Sequence, residues 1–195
     1  DSTQLAGQAS SDQLFNLYYT FLAFAPQVLT PIISRYMGEN NKEKIIEYVN
    51  TATLLSFTLG ITGAILLFFK SNLALSTMIS TDSPVFNYAQ YYFKYRIIGL
   101  PFQLLNSCYY SVCRGKMDIN SAVKINIFSQ MVNILLDPLF MKKYGIRGVA
   151  IASTLSDVIA TLLYTKLLIK QKYISFKLKN FLTNSKVILN RAFFV

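Results

Sequence analysis

Long runs of apolar residues decide what kind of protein this chain can form. A helix needs about 20 mainly apolar residues to cross the roughly 30 Å hydrocarbon core of a bilayer. Runs that meet this requirement lie at Gln13–Tyr36, Ile45–Phe69, Tyr88–Val112, Ala122–Met141 and Ile146–Ile169. The sequence therefore predicts an all-α integral membrane protein, a polytopic helical bundle with about five transmembrane helices.

The composition excludes several other classes of protein. Of the 195 residues 53% are hydrophobic and only 14% are charged, with a mean hydropathy of +0.38, whereas soluble domains carry about 25% charged residues. The net charge of +10 comes from basic residues that lie between apolar runs, which argues against nucleic-acid binding. Histidine is absent, and Cys108 and Cys113 lack metal-site or CxxC spacing, so we expect free thiols and no enzymatic activity.

The basic residues are distributed unevenly among the linkers between the predicted spans. Thirteen of the 19 lie in or beside the first, third and fifth linkers: Arg35, Lys42, Lys44, Arg114, Lys116, Lys124, Lys166, Lys170, Lys172, Lys177, Lys179, Lys186 and Arg191. The other six lie on the opposite side: Lys70, Lys94, Arg96, Lys142, Lys143 and Arg147. Because cytoplasmic loops are enriched in basic residues, this distribution predicts an N-terminus on the non-cytoplasmic side of a multi-pass protein.

Polar residues recur at helical spacing inside four of the predicted spans. The stripes are Asn16, Thr20, Gln27 and Ser34 in the first span, Gln103, Asn106 and Tyr110 in the third, Asn126, Gln130, Asn133 and Asp137 in the fourth, and Ser153, Asp157, Thr161 and Thr165 in the fifth. Prolines interrupt the first span, and Pro101 is expected to kink the third. Residues at i, i+4 and i+7 share one helix face, so each stripe is expected to face an interior rather than lipid.

Asp137 is the polar residue that most needs an explanation. A mid-membrane aspartate costs about 2.5–3.5 kcal/mol on insertion scales, and no Lys or Arg lies between Asn126 and Met141. With Asn133 one helical turn earlier, the pair offers oxygen ligands to a proton or a small hard cation. The alternative for these stripes is interhelical hydrogen bonding, and Asp157 in particular could be satisfied by Ser153 and Thr161.

Several stretches resemble one known family. "NILLDPLF" followed by "YGIRGVAIASTLSD" is similar to the N-x-x-L-D-P and G-x-x-G-A-A-I-A-T segments of multidrug and toxic compound extrusion (MATE) transporters. "CRGKMDINSAVKINI" and "APQVLTPIISRYMGENNKEK" resemble the turn into the same helix and the exit from the second helix. The resemblance spans nearly the whole chain, and "FLAFAPQVLTP" and "FFKSNLALSTM" resemble the plastid-type plant and algal branch.

The resemblance implies a transporter of two six-helix lobes that exchanges its substrate for H⁺ or Na⁺. Residues 1–170 would be helices two to six of the N-terminal lobe, and residues 171–195 a basic inter-lobe linker with the start of helix seven. Two partners of these helices would be missing from this sequence: the family's first helix, which carries a partner aspartate, and the C-terminal lobe. Asn133 and Asp137 match the family's cation-binding amide and carboxylate, with Na⁺ as the possible metal, and no cofactor is expected. Asn106 and Thr154 fall near further ligand positions, and Asp157 completes the candidate set.

The function that this resemblance implies is export of small organic, often cationic, compounds by an ion-coupled antiporter. The membrane would be the plasma membrane or a plastid-like envelope. Two alternatives stay open: a lipid-linked precursor flippase of the same superfamily, and a membrane scaffold that transports nothing. Flippases of this superfamily generally line their central cavity with arginines. In this sequence Arg96 is the one arginine that lies in the middle portion of a predicted span, and it lies near the edge of that portion.

Overall fold

The computed structural model describes residues 2–175 and 181–193, and this part of the chain is built from α-helices without strands. The helices are α1 Ser2–Gln27, α2 Leu29–Gly38, α3 Lys42–Phe69, α4 Ser71–Ser76, α5 Pro84–Ile97, α6 Leu100–Gly115, α7 Ile119–Tyr144, α8 Ile146–Lys170 and α9 Phe181–Phe193. The predicted all-α fold is confirmed. The predicted linker residues Lys177 and Lys179 lie outside the described residues.

Two of the predicted spans are each formed by two consecutive helices, and proline accounts for both breaks. Pro31 and Pro101 have no N–H to donate to the carbonyls four residues earlier, those of Gln27 and Ile97. Helix α1 ends at Gln27 and α5 ends at Ile97, so each break falls where that hydrogen bond is lost. The first of these spans also starts at Ser2 rather than at Gln13.

The other three predicted spans form the single helices α3, α7 and α8. Helix α7 continues through Pro138 without a break. Among the described residues, the segments Ser2–Gly38, Lys42–Phe69 and Ile146–Lys170 are long and apolar enough to cross a membrane by length and composition. Many large apolar side chains on α3 and α7, such as Phe69, Ile134 and Leu139, are exposed in the chain, as expected for a surface covered by lipid.

The buried core of the described residues consists of two large apolar clusters and a smaller one around Tyr92 and Ala150. One large cluster joins α2, α3, α6 and α8 around Ile33, Val49 and Tyr164, and it includes both cysteines, which are buried free thiols as predicted. The other large cluster joins α1, α4 and α5 around Phe15, Leu75 and Phe93. Helix α7 lies outside both clusters except at its N-terminal end, and its main neighbour is α8.

The loops collect at two ends of the bundle. At one end Lys42 and Lys116 lie over the ring of Tyr173, with their ammonium nitrogens 5.2 Å and 4.1 Å from its centroid. Burial lowers the pKa of the Lys116 ammonium there, and its nitrogen donates to the Gln171 amide oxygen. At the other end Arg147 lies over Tyr91. The first, third and fifth linkers therefore share one end, as expected for a chain whose successive spans alternate in direction.

Candidate functional site

The hairpin of α7 and α8 places Asn133 beside Asp137 and Ser153. The Asn133 amide nitrogen lies 3.5 Å from the Asp137 carboxylate and 3.3 Å from the Ser153 hydroxyl. The first contact joins residues one turn apart, as the sequence predicted, and the second joins the two helices. Within residues 2–175 and 181–193, no Lys or Arg forms an ion pair with Asp137. In that part of the chain, no basic side chain therefore compensates the negative charge of the Asp137 carboxylate through an ion pair.

Asp157 on α8 has a basic partner that the sequence analysis did not assign to it. The Arg96 guanidinium, from α5, lies 3.2 Å from the Asp157 carboxylate and donates to the Gln103 amide oxygen at 3.0 Å. The same guanidinium lies over the ring of Phe15 at 4.2 Å. Only 11% of the Arg96 side chain and 21% of the Asp157 side chain are exposed. The predicted partner Thr161 donates instead to the backbone carbonyl of Asp157.

Asp12 on α1 is a third carboxylate near these two. The Tyr92 hydroxyl donates to the Asp12 carboxylate at 2.7 Å, and the Arg96 guanidinium lies 4.0 Å away from it. Asp12 also lies within electrostatic range of Asp137. The predicted first span began one residue after Asp12, so sequence analysis missed this residue; its position between apolar Leu5 and Leu14 was the available signal. Asp12 and Asp157 share the Arg96 guanidinium, and Asp137 has no ion-pair partner among the described residues, so the cluster has an excess of negative charge when all three carboxylates are ionised.

The other predicted ligands are Asn106 on α6 and Thr154 on α8, and both lie where α8 packs against α5 and α6. The Asn106 amide nitrogen donates to the Asp157 backbone carbonyl at 3.0 Å, and its oxygen accepts from Thr161 at 2.9 Å. The Thr154 hydroxyl is buried and has no hydrogen-bond partner among the described residues. It faces Gly99, in the break between α5 and α6. The predicted site residues thus form two hydrogen-bonded pairs, Asn133 with Asp137 and Asn106 with Asp157.

A polar cavity of about 470 Å³ opens between α1, α6, α7 and α8. Its lining consists mainly of amide and hydroxyl side chains, with one carboxylate and one guanidinium: Tyr19, Gln27, Gln103, Asn106, Ser107, Tyr110, Ser111, Arg114, Asn126, Ser129, Gln130 and Asp157, together with Ala160. The interior predicted for the polar stripes of the third and fourth spans is confirmed at these residues. In the first span only Gln27 lines it, whereas Asn16, Thr20 and Ser34 are exposed in this chain, so for these three residues an interior position stays a prediction.

The donor types around Asp137 suit a proton or a hard monovalent cation. Carboxylate, amide and hydroxyl oxygens are the ligands that such ions prefer. Among the described residues, no group of three or more His, Cys, Asp and Glu side chains is arranged to hold a metal ion. A transition-metal site therefore has no set of ligands in this part of the chain.

Comparison with known proteins adds family and fold information. The MatE family model matches residues 1–139. Protein DETOXIFICATION 43 of Arabidopsis thaliana is 33% identical over 123 residues, which are 62% of this chain and 23% of that protein. The chloroplastic Protein DETOXIFICATION 44 of Arabidopsis thaliana is 30% identical over 129 residues, covering 64% and 25%.

A solved structure supports the fold over nearly the whole chain. The outward-facing conformation of a multidrug resistance MATE family transporter of the MOP superfamily superimposes with a TM-score of 0.83 at 22% identity. The superposition covers 99% of this chain and 45% of the other. The chain therefore spans less than half the length of these proteins, and the arrangement of its helices matches part of a multi-pass membrane transporter.

Proposed function

This chain belongs to the MatE family, whose members are multi-pass membrane transporters rather than enzymes, and on that premise we propose that it forms one lobe of an ion-coupled antiporter. In this proposal Asp137 is the carboxyl group that binds the coupling ion, H⁺ or Na⁺. In the numbering of the family, residues 1–170 would be helices two to six of the N-terminal lobe, and residues 171–195 would be the basic linker to the second lobe with the start of helix seven.

The observation that carries the proposal is the carboxylate of Asp137 on α7, which forms no ion pair with a basic side chain among the described residues. Such a group costs about 2.5–3.5 kcal/mol in a membrane, and a purely structural role would be served by a neutral amide. Ion binding changes the charge of the cluster around Asp12, Asp137 and Arg96. Because a ligand shifts a conformational equilibrium by its differential affinity for the two states, that change in charge can drive a movement between inward-open and outward-open forms.

The remaining site residues have different roles in the proposal. Asn133 and Ser153 supply neutral oxygen ligands beside Asp137, because the amide of Asn133 contacts both partners. Thr154 offers a buried hydroxyl that lacks a partner within the described residues. Asn106 and Asp157 support the site: Arg96 compensates the Asp157 charge, and Asn106 ties α6 to α8.

The transported compound is proposed to be a small organic solute, often cationic. The cavity between α1, α6, α7 and α8 supports a polar substrate, because amide and hydroxyl groups make up most of its lining. Its open side would face the second lobe. The membrane is proposed to be the plasma membrane or a plastid envelope.

Transport measurements on the protein at its natural length, reconstituted in vesicles, test the proposal. A Na⁺ or pH gradient is imposed, and the movement of a panel of fluorescent organic cations is followed. Asp137→Asn removes the charge but keeps the shape, so we expect gradient-driven movement to fall at least about tenfold, the equivalent of about 1.4 kcal/mol. Asp82→Asn is the matched control, because Asp82 is an exposed loop carboxylate.

Two results would contradict the proposal. One is an Asp137→Asn protein of normal abundance that moves the probe at the wild-type rate under both gradients. The other is a wild-type protein that moves none of the probes under either gradient, which would favour the scaffold alternative.

A further inference from the structure

An apolar groove runs along the outer side of the bundle, away from the polar cavity. It has a volume of about 410 Å³ and lies between the C-terminal part of α3 and the break between α5 and α6. Ile61, Ile65 and Phe68 form one wall, and Ile98 and Pro101 belong to the other. Every side chain that lines it is apolar, so the groove offers no hydrogen bond to a water-soluble ligand.

The groove continues into a second pocket of a different character. This pocket, of about 360 Å³, shares Phe68 and Ile98 with the groove and adds Tyr91, Lys94, Tyr95 and Arg147. We call these four added residues the basic mouth. The Arg147 guanidinium carbon lies 4.3 Å from the centroid of the Tyr91 ring and 5.9 Å from that of Tyr95. One continuous surface therefore has an apolar channel at one end and cations with phenol rings at the other.

The two cations of the basic mouth are available to an anion. Within residues 2–175 and 181–193, neither Lys94 nor Arg147 forms an ion pair with a carboxylate. A guanidinium that stacks on aromatic rings keeps its N–H edge free, and that edge matches the oxygens of a phosphate group. The basic mouth thus provides both charge and geometry for a phosphate.

The position of the basic mouth along the helices matches the height of lipid headgroups. Arg147 lies in the first turn of α8, and Phe68 lies in the last turn of α3. Tyrosine rings and basic residues concentrate at this level of a bilayer. From Ile61 to Phe69 the groove follows α3 for about 12 Å at 1.5 Å per residue, against about 15 Å for the hydrocarbon of one leaflet.

We propose that this surface binds one anionic phospholipid. Arg147 and Lys94 hold its phosphate, the two tyrosines flank the headgroup, and an acyl chain lies along α3 in the groove. The proposal does not depend on ion coupling at Asp137, because it needs only that the chain spans a membrane. Since Ile98 and Pro101 border the break between α5 and α6, the bound lipid would also stabilise the angle between these two helices.

A lipid explains the whole surface better than a free phosphate does. A free phosphate compound would contact only the basic mouth and would leave the apolar channel unused. A zwitterionic lipid would fill the channel but would gain less from two cations that form no ion pair within the described parts of the chain. Both alternatives are separate arms of the experiment.

The experiment uses photoactivatable phosphatidylglycerol in nanodiscs that contain the protein at its natural length. Mass spectrometry maps the labelled peptides. We expect labelling within residues 61–69 and 91–98, and about tenfold less of it in the double variant Arg147→Gln/Lys94→Gln, the effect of losing a charge-assisted hydrogen bond. Lys143→Gln is the matched control, because Lys143 is an exposed cation at the same end of the bundle and outside the groove.

A second variant keeps the test decisive if the double variant is not recovered as a folded protein. Ile65→Trp fills the groove and leaves both cations in place, and Ile65 is half exposed, so the protein should fold. We expect it to lose labelling within residues 61–69.

Four outcomes would overturn the proposal. Phosphatidylcholine could label the groove as strongly as phosphatidylglycerol, or the double variant could label like the wild type. Glycerol phosphate could displace the labelled lipid, or the groove could stay unlabelled because another segment of the protein covers it.

Discussion

Arg96 is the residue that determines how the charges in the bundle are balanced. It pairs with Asp157, lies 4.0 Å from Asp12 and stacks on Phe15. These contacts neutralise one carboxylate and leave Asp137 without a basic partner among the described residues. The local charge balance therefore separates a paired aspartate from an unpaired one, which assigns structural support to Asp157 and ion binding to Asp137 in the proposed mechanism.

The pair of Arg96 and Asp157 makes a specific prediction about stability. Arg96→Leu leaves a largely buried carboxylate without its partner, so we expect the free energy of unfolding to fall by about 3–5 kcal/mol. The double variant Arg96→Leu/Asp157→Leu removes both charges and should recover most of this loss. Thermal unfolding of the purified protein in detergent measures both effects, and Lys142→Leu, at an exposed position, is the control. A single variant as stable as the control would contradict the importance of the pair.

The candidate site was predictable where its residues lie on one helix. Asn133 and Asp137 are four residues apart, and their contact follows from helical periodicity alone. The contact between Arg96 and Asp157 joins residues 61 apart in the chain, and periodicity says nothing about which faces of two separate helices meet. The same limit applies to Asp12 and Tyr92, which are 80 residues apart.

At the scale of the helices, hydrophobic runs and prolines explain the observed segments. Pro31 and Pro101 produce breaks because each removes a hydrogen bond to a carbonyl in the preceding turn. Pro138 has the same chemistry, yet α7 continues through it. Pro31 and Pro101 marked the positions of the breaks, but the sequence alone did not distinguish them from Pro138.

The crossing of α3 and α6 depends on one glycine. A Cβ atom added at Gly60 would collide with the backbone of Pro101 and lie 3.0 Å from its Cβ atom, and the backbone cannot give way as a flexible side chain would. We expect Gly60→Ala to lower the free energy of unfolding by about 1–3 kcal/mol through overpacking.

Gly38→Ala is the matched control for this prediction, because nothing lies within 4 Å of a Cβ atom added at Gly38. Its effect should stay within about 0.5 kcal/mol. Thermal unfolding in the same detergent compares the two variants. Equal unfolding temperatures would show that α3 and α6 can separate at Gly60 without cost, contrary to the packing described here.

At the scale of the whole molecule, the succession of predicted spans indicated which linkers meet. The structure places Lys42, Lys116 and Tyr173 together at one end, as expected when successive spans alternate in direction. The exposure of Asn16 and Thr20 was not predicted, because each polar stripe was expected to face an interior. Exposure of a stripe depends on what surrounds the chain, and this information lies outside its own residues.

The orientation of the bundle in its membrane is the last prediction, and the two ends described above make it testable. Cysteines placed at Glu43 and Lys170 should react with a membrane-impermeant maleimide from the cytoplasmic side only, because basic linkers are retained there. A cysteine at Lys143 should react from the opposite side. All three positions are exposed, and the native Cys108 and Cys113 are buried, so that the unsubstituted protein is a low-background control. Reaction of Glu43→Cys and Lys143→Cys from the same side would contradict the arrangement of the spans, whereas exchanged sides would leave the bundle intact and reverse only its orientation.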